Sequence, residues 1–172
     1  MNAITDYDAE SSARASAAQP PGERFTLRRT GRKPVRFTGW KMVEAQGAPG
    51  GAKLYYDLTV YRTSAAHFVA ELIARRNLLD AADLCRVESF ASLTELADWL
   101  ENFACAQDVP VRPGLNAPDL PLALAMLQAV HLRDVIARVG EDYQDLLSDV
   151  FEALDLTDAP SASPARGVAQ AA

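Results

Sequence analysis

The chain has 172 residues, a hydrophobic content of 49% and a formal net charge of -6, which is the size and composition of one globular domain. No apolar run reaches the length of about eighteen residues that a membrane span requires, and residues 1–19 lack the basic and then apolar order of a secretory signal. With two cysteines and two histidines, neither a disulfide framework nor a structural metal site is expected. We therefore predict a cytoplasmic protein with no membrane partner, no metal and no cofactor.

The charge is divided by position along the chain. Residues 1–79 hold twelve Lys or Arg against seven Asp or Glu, a net of +5, whereas residues 80–172 hold five against sixteen, a net of -11. A partner responds to the local field and not to the total charge. The front half therefore keeps nucleic acid among the candidate partners, although the isoelectric point is near 4.9.

The domain organisation follows from composition. Residues 1–22 and 157–172 are rich in Ala, Ser and Pro and predict two disordered tails. Between them, residues 23–156 predict a single domain, with a sheet over 24–90 and helices over 92–155. Because the strands come first and the helices later, the predicted class is α+β, an antiparallel β-meander of about four strands followed by about three helices packed on one face.

The first two strands are predicted to form a hairpin. Apolar and polar residues alternate over 25–28 and again over 35–38, which is typical of half-buried strands. Both apolar sets share a face if residue 30 pairs with residue 34, and this register places Arg28 opposite Arg36. Gly31 then supplies the positive φ that such a loop needs.

Alternation predicts three further strands, but one of them is ambiguous. The strand beginning at 34 extends to 45, and the glycine-rich turn 46–51 leads to a strand over 53–62. A short strand is indicated over 84–90. Segment 65–76 has apolar residues at every second position, as a strand has, but Phe68, Val69, Leu72 and Ile73 also share one face of a helix. We favour the strand, because residues 63–66 would close a hairpin, and the helix stays open.

The second half of the domain changes to helical periodicity. Ser92 and Glu95 have the spacing of a capping box, in which the hydroxyl accepts from the Glu95 amide and the carboxylate reaches back to the Ser92 amide. A Pro-rich connector follows over 110–121, and Gly140 is predicted to separate the last two helices. The three predicted helices cover 93–104, 120–138 and 141–154.

The strongest candidate site is a basic cluster on the first hairpin. Seven cations and no acid fall within residues 24–41, and arginines with a nearby indole can bind phosphates and stack on bases. The alternative is a solvated face whose arginines pair with acids of the C-terminal helices or of the C-terminal tail. The candidate nucleic-acid-binding residues are Arg24, Arg28, Arg36, Trp40 and Lys41.

Other polar residues give weaker hypotheses. Asp142, Asp145 and Asp149 share a helix face and have the chemistry of a divalent cation site, but a solvated face is the favoured interpretation. An enzyme whose acids or His67 lie in a pocket between sheet and helices is a further hypothesis, and a concave pocket that held two or more of four residues would favour it. These four are Tyr55, Asp57, His67 and Glu71.

The helix predicted over 120–138 has more apolar residues than one small sheet can bury. Leu122, Leu124, Met126 and Leu127 cover more than one of its faces. The surplus is either a surface for a protein partner or a second copy, or it is buried in a layer of three helices.

Three short motifs resemble those of the EXLDI family of small bacterial proteins. Residues 59–63, Thr-Val-Tyr-Arg-Thr, are similar to a hairpin of that family, and residues 27–32 are similar to its opening. Residues 152–156 read Glu-Ala-Leu-Asp-Leu, close to the Glu-x-Leu-Asp-Ile that names the family. The resemblance covers about 24–156 and implies a bacterial protein and a fold, but no catalytic residue.

No catalytic constellation is recognisable in the sequence. The favoured hypothesis is therefore a small non-enzymatic accessory or binding protein that acts through protein–protein contacts, with a protein partner or a homodimer. The first alternative is a nucleic-acid-associated regulator that uses the hairpin 24–41. The second is an enzyme with a pocket between sheet and helices.

Overall fold

The computed structural model of the chain describes residues 21–47, 53–77, 81–111 and 120–155. The predicted tails and most of the turn 46–51 and of the connector 110–121 lie outside the described residues. The five strands are β1 (Glu23–Arg29), β2 (Arg32–Gln46), β3 (Leu54–Thr63), β4 (Phe68–Arg76) and β5 (Leu84–Phe90), and the helices are α1 (Leu93–Glu101), a short 3-10 helix (Cys105–Asp108) and α2 (Leu122–Ala153). Over these ranges, no helix is long and apolar enough to cross a membrane.

The strands form one antiparallel sheet in the order β1-β2-β3-β4-β5. The sheet curls until the end of β1 meets the start of β5, where the Thr30 amide donates to the Cys85 carbonyl at 2.9 Å. The Cys85 amide in turn donates to the Thr30 hydroxyl at 2.8 Å. The α+β class with an antiparallel sheet is confirmed, but the described residues hold five strands and two α-helices, whereas about four and about three were predicted.

The ambiguous segment 65–76 is a strand. β4 pairs with β3 on one side and with β5 on the other, so its backbone groups are bonded along both edges. Its side chains alternate between the two faces of the sheet, with Val69 opposite Tyr61 and Ala70 opposite Val60. The favoured strand is confirmed and the helix alternative is wrong.

The predicted register of the first hairpin is wrong by two residues. Phe25 pairs with Phe37 and Thr26 with Arg36, whereas the prediction placed Arg28 opposite Arg36. The turn is tighter than predicted, because Thr30 bonds to β5 and Gly31 has a φ of 72°. Since the shift is an even number of residues, the side chains of the regular pairs from Glu23 to Leu27 keep their predicted faces.

The curled sheet has an apolar cluster on each face. Inside the curl, four buried side chains pack together with Phe25, Val35 and Phe37 around them; the four are Leu27, Tyr61, Val69 and Val87. On the other face, which we call the helix face, the buried sheet residues are Leu54, Tyr56, Leu58, Val60, Ala70, Leu72 and Ala74. Helices α1 and α2 cover part of the helix face, as predicted for helices packed on one side.

Helix α1 has the predicted N-cap but is shorter than predicted. The Ser92 hydroxyl accepts from the Glu95 amide at 3.1 Å, while the Glu95 carboxylate accepts from the Ala91 amide at 2.9 Å instead of the Ser92 amide. The helix ends at Glu101 and not at 104. Beyond it, the Phe103 ring packs against Tyr143 at a centroid distance of 5.6 Å, which requires the chain to leave the helical path.

The predicted break at Gly140 does not exist. α2 runs without interruption through Gly140 from Leu122 to Ala153, so one long helix replaces the two that were predicted. A single glycine costs a helix only about 0.5–1 kcal/mol relative to alanine. Burial of Val139 and Tyr143 on either side of it offsets that cost.

Candidate protein-binding surface

Only the second half of α2 is packed against the sheet. All of its buried residues lie from Val139 onward, namely Val139, Tyr143, Leu146, Leu147 and Val150. The Tyr143 hydroxyl donates to the Leu100 carbonyl at 2.9 Å, which fixes α2 to the end of α1. The first half of the helix, 122–138, has no fully buried residue.

The first half of α2 exposes the apolar surplus that the sequence predicted. Its exposed side chains are Leu122 (76%), Leu124 (42%), Met126 (63%), Leu127 (66%) and Val130 (59%). Burial inside a layer of three helices is therefore wrong for these residues. Single exposed apolar side chains are ordinary, but a contiguous group on one half-helix is typical of an interaction surface.

One side of this half-helix closes a groove against the sheet. The groove has a volume of about 310 Å³, and its floor is Leu54, which is 1% exposed. One wall is Val109 to Val111, the segment after the 3-10 helix, and the other wall is formed by residues of α2 such as Leu124, Leu127 and Val135. Lys53 and His131 provide polar groups in a lining that is otherwise mainly apolar.

A polar atom in the groove lacks a hydrogen-bond partner. The side-chain oxygen of Gln128 is buried, and no described residue donates to it. Gln128 belongs to the lining of the groove. Because a buried acceptor without a donor is costly, an occupant that brings an N–H or O–H group to Gln128 would gain from it.

The wall formed by 109–111 is held in place by Asp108. This carboxylate is 3% exposed and accepts from the Arg86 guanidinium at 2.5 and 2.8 Å. It also accepts from the Tyr56 hydroxyl at 3.0 Å. Desolvation first, and then the adjacent Asp108 carboxylate, raise the pKa of Tyr56 well above its ordinary value, so that its hydroxyl remains a donor.

The structure brings most of the predicted basic cluster to one face of the first hairpin. Arg24, Arg28 and Arg36 are exposed, and strand alternation places Arg24 and Arg36 with the partly buried Trp40 on the continuation of the helix face. Arg28 lies at the irregularity between Leu27 and Arg29 and lines a cleft with Glu71 of the other face. Lys41, opposite Tyr61, is on the other face and pairs with Glu44 at 2.6 Å. Three of the five predicted residues, Arg24, Arg36 and Trp40, therefore share the helix face.

The alternative for this cluster was pairing with acids of the C-terminal helices or tail, and the tail lies outside the described residues. Within the described ranges, the ion pairs of the hairpin are made inside the sheet, with Arg29 and Arg32 both bonded to Glu88 of β5 at 2.9 and 3.5 Å. No described acid of α2 takes part. Internal pairing with the helices is therefore wrong for the residues that the structure describes.

The residues that would have indicated an enzyme are not gathered in the groove. Two of the four, Tyr55 and Asp57, do share a cleft of about 450 Å³, but it lies on the side of the sheet away from the helices. Glu71 lines a neighbouring cleft. Asp57 is bonded to the Arg75 guanidinium at 2.6 Å, and His67 is exposed in the turn between β3 and β4. The pocket between sheet and helix has none of these four in its described lining.

The remaining candidate groups stay apart. Asp142, Asp145 and Asp149 are exposed along α2, and the described part of the chain contains no group of three His, Cys, Asp or Glu side chains that could hold a metal ion. Burial raises the pKa of the thiols of Cys85 and Cys105, which disfavours reactive thiolates.

Sequence reasoning missed two parts of the groove. It assigned no role to Asp108, since an isolated acid after a helix gives no signal of burial. It also did not place Leu54 and Val111 opposite α2, because no pattern in the chain reports contacts between distant segments. Comparisons of this chain with protein-family models, with curated proteins and with solved structures found no match.

Proposed function

We propose that this chain is a non-enzymatic binding protein whose groove between α2 and β3 receives an apolar segment of a partner protein. The observation that supports this most directly is the exposed apolar half of α2 beside a groove with a buried apolar floor. Interfaces gain most of their affinity from an apolar anchor in such a pocket, surrounded by a polar rim. Lys53 and His131 supply polar groups for the rim.

The groove also indicates what the anchor must contain. Leu54, Leu124 and Leu127 favour an aliphatic or aromatic side chain. The unpaired oxygen of Gln128, a residue of the groove lining, favours a donor beside that side chain, which a tryptophan, a tyrosine or a backbone amide provides. The segment expected in the groove is therefore a short peptide with an apolar anchor and a donor next to it.

Peptide display tests this proposal while the partner is still unidentified. Random peptides are selected on the purified full-length chain, and the affinity of each selected peptide is measured by calorimetry. Leu124→Lys places a charge in the wall of the groove and should weaken binding at least about tenfold, whereas Gln144→Lys, on an exposed position of the same helix, should not. Selection of no peptide, or of peptides insensitive to Leu124→Lys, would refute the groove as a binding site.

We infer a second candidate function from the basic face of the hairpin. Arg24 and Arg36 are exposed on the face that holds Trp40, and Arg28 is exposed at the adjacent irregularity of β1. Within the described residues none of the three arginines makes an ion pair. Such a face can neutralise phosphates and stack on a base. The second candidate is therefore a regulator that binds single-stranded nucleic acid through the hairpin 24–41.

A matched pair of double variants tests the second candidate. Arg28→Ala with Arg36→Ala should weaken binding of a labelled single-stranded oligonucleotide and reduce the salt dependence of its affinity by roughly the two lost phosphate contacts. Arg133→Ala with Arg138→Ala makes the same charge change on α2 and should leave the binding unchanged. Absence of oligonucleotide binding at low salt, or equal loss in both variants, would rule out the hairpin face.

A further inference from the structure

The first half of α2 has a second apolar face that is separate from the groove. Leu122, Met126 and Val130 follow one another at intervals of four residues, and they are 76%, 63% and 59% exposed. With 100° of rotation per residue, this row lies on the side of the helix roughly opposite to Leu124 and Gln128, which line the groove. We call the row the outer stripe. A helix that is apolar on opposite sides is expected to be covered on both.

We propose that the outer stripe is the contact surface of a homodimer, in which the first halves of α2 from two copies pack antiparallel about Met126. A two-fold axis at Met126 places Leu122 of one copy against Val130 of the other, and Met126 against Met126. Each apolar side chain of the stripe then meets an apolar side chain; the contact of Leu122 with Val130 occurs twice, and that of Met126 with Met126 occurs once, on the axis. The dimer proposal does not depend on the proposal that the groove binds a peptide.

The composition of the stripe argues for a second copy as the occupant. Residues 122–130 contain no charged side chain, so this surface offers no charge that a different partner would be selected to match. Any partner must bring an uncharged apolar row of similar length. The chain already presents such a row, and the row is self-complementary when it is reversed.

The charge of the rest of α2 selects the antiparallel arrangement. The second half of the helix is acidic and has no basic residue after Arg138; its exposed acids are Glu141, Asp142, Asp145, Asp149 and Glu152. A parallel pair would bring two such rows side by side. In the antiparallel pair they begin about 45 Å apart at 1.5 Å per residue, which is several times the Debye length of about 8–10 Å at physiological salt.

Light scattering over a range of concentrations tests the dimer. The stripe is small, so a weak dimer is expected. The measured mass should rise from 18.6 kDa towards twice that value as the protein concentration increases from about 10 µM to about 1 mM. Met126→Lys puts two charges at the axis and should keep the protein monomeric throughout this range. Gln144→Lys should behave as the unchanged chain, and circular dichroism should show that both variants are folded. A monomer at 1 mM, or a Met126→Lys dimer, would overturn the proposal.

Cysteine pairs test the direction of the helices. Under oxidation, Met126→Cys should form a disulfide between two identical chains, and a mixture of Leu122→Cys and Val130→Cys chains should form the mixed disulfide, both located by peptide mass spectrometry. Leu122→Cys linked mainly to itself would indicate a parallel pair and refute the geometry. Met126→Lys should still bind the peptides selected on the groove, and Leu124→Lys should still dimerise, so the two proposals can fail separately.

Discussion

Asp108 links three segments that are far apart in the sequence. Its carboxylate joins the 3-10 helix to Arg86 of β5 and to Tyr56 of β3, and the Arg86 guanidinium lies 5.1 Å from the centre of the Phe103 ring. A carboxylate that is 3% exposed would be unfavourable without these donors. The ion pair therefore fixes the position of the groove wall that follows at Val109.

Asp108→Ala should destabilise the fold by about 3 kcal/mol, because it leaves a partly buried Arg86 without its counter-charge and removes one of the two acceptors of the Tyr56 hydroxyl, the other being the Cys105 carbonyl at 3.2 Å. Denaturant unfolding measures this change. Asp98→Ala removes an exposed acid of α1 and should cost less than about 0.5 kcal/mol. Similar losses in the two variants would show that the Asp108 pair is not a special contributor to stability.

Glu71 is a half-buried carboxyl inside the curl. It accepts from the Tyr61 hydroxyl at 3.1 Å, but desolvation outweighs this bond and raises the pKa of Glu71 above its ordinary value of 4.5. The same neighbourhood, desolvation first, raises the pKa of Tyr61 to about 12. Since the folded state holds the Glu71 proton more tightly than the unfolded state does, ionisation of Glu71 opposes folding.

Glu71→Gln should therefore raise the melting temperature at pH 7. The folded protein has the higher pKa at this group, so the contribution of Glu71 to stability is largest below pH 4.5 and decreases as pH rises through the folded pKa. The increase in melting temperature caused by Glu71→Gln should accordingly disappear at about pH 4. Glu44 is the control, since its bond to Lys41 lowers its pKa, and Glu44→Gln should give no gain at pH 7. A gain for Glu71→Gln that does not depend on pH would contradict this account.

At the scale of elements, α2 shows how packing overrides a local signal. A glycine after a periodic apolar run is the usual sign of a helix end, yet α2 continues through Gly140. A Cβ at this position would meet no atom within 4 Å. The glycine is thus tolerated by the helix but not required by it.

Gly140→Ala should stabilise the protein by about 0.5–1 kcal/mol, because alanine has the better helix propensity and restricts the unfolded chain. Thermal unfolding monitored by circular dichroism at 222 nm measures the effect. Gly39→Ala is the opposite case, since a Cβ there would collide with the carbonyl oxygen of Arg62. This variant should destabilise the protein. A loss of stability in Gly140→Ala would show that the glycine has a structural role in α2.

On the scale of the whole molecule, the two apolar clusters share their central strands. β3 contributes Tyr61 to the inside of the curl and Leu58 and Val60 to the helix face. β4 does the same with Val69 and Leu72. Neither cluster can lose these strands while the other stays folded, so the described domain should behave as one cooperative unit.

The two tryptophans can report on this cooperativity. Trp99 of α1 packs against Phe90 at a centroid distance of 5.5 Å, and Trp40 lies in β2. Fluorescence of the single-tryptophan variants Trp40→Phe and Trp99→Phe should give unfolding transitions that coincide with each other and with circular dichroism. Separate midpoints for the sheet and helix reporters would contradict a single unit.

The sequence by itself determined the local features of this protein. Alternating residues in β1 to β5 and the Ser92 cap depend on neighbours along the chain, so their patterns could be interpreted directly. The apolar surplus that includes Leu122 and Met126 was also visible, because it follows from counting apolar faces on one helix, but its exposure was decided by the structure. The resemblance to the EXLDI family stays a prediction, since no comparison tests it.

The tertiary structure alone decided the rest. The hairpin register depends on a bond from Thr30 to Cys85 of β5, and the continuity of α2 depends on packing around Gly140. The groove requires Leu54, Val109 and Leu124 to meet from three separate segments. Such contacts join residues that are distant in the chain, and their energies depend on burial and geometry that no local pattern of residues encodes.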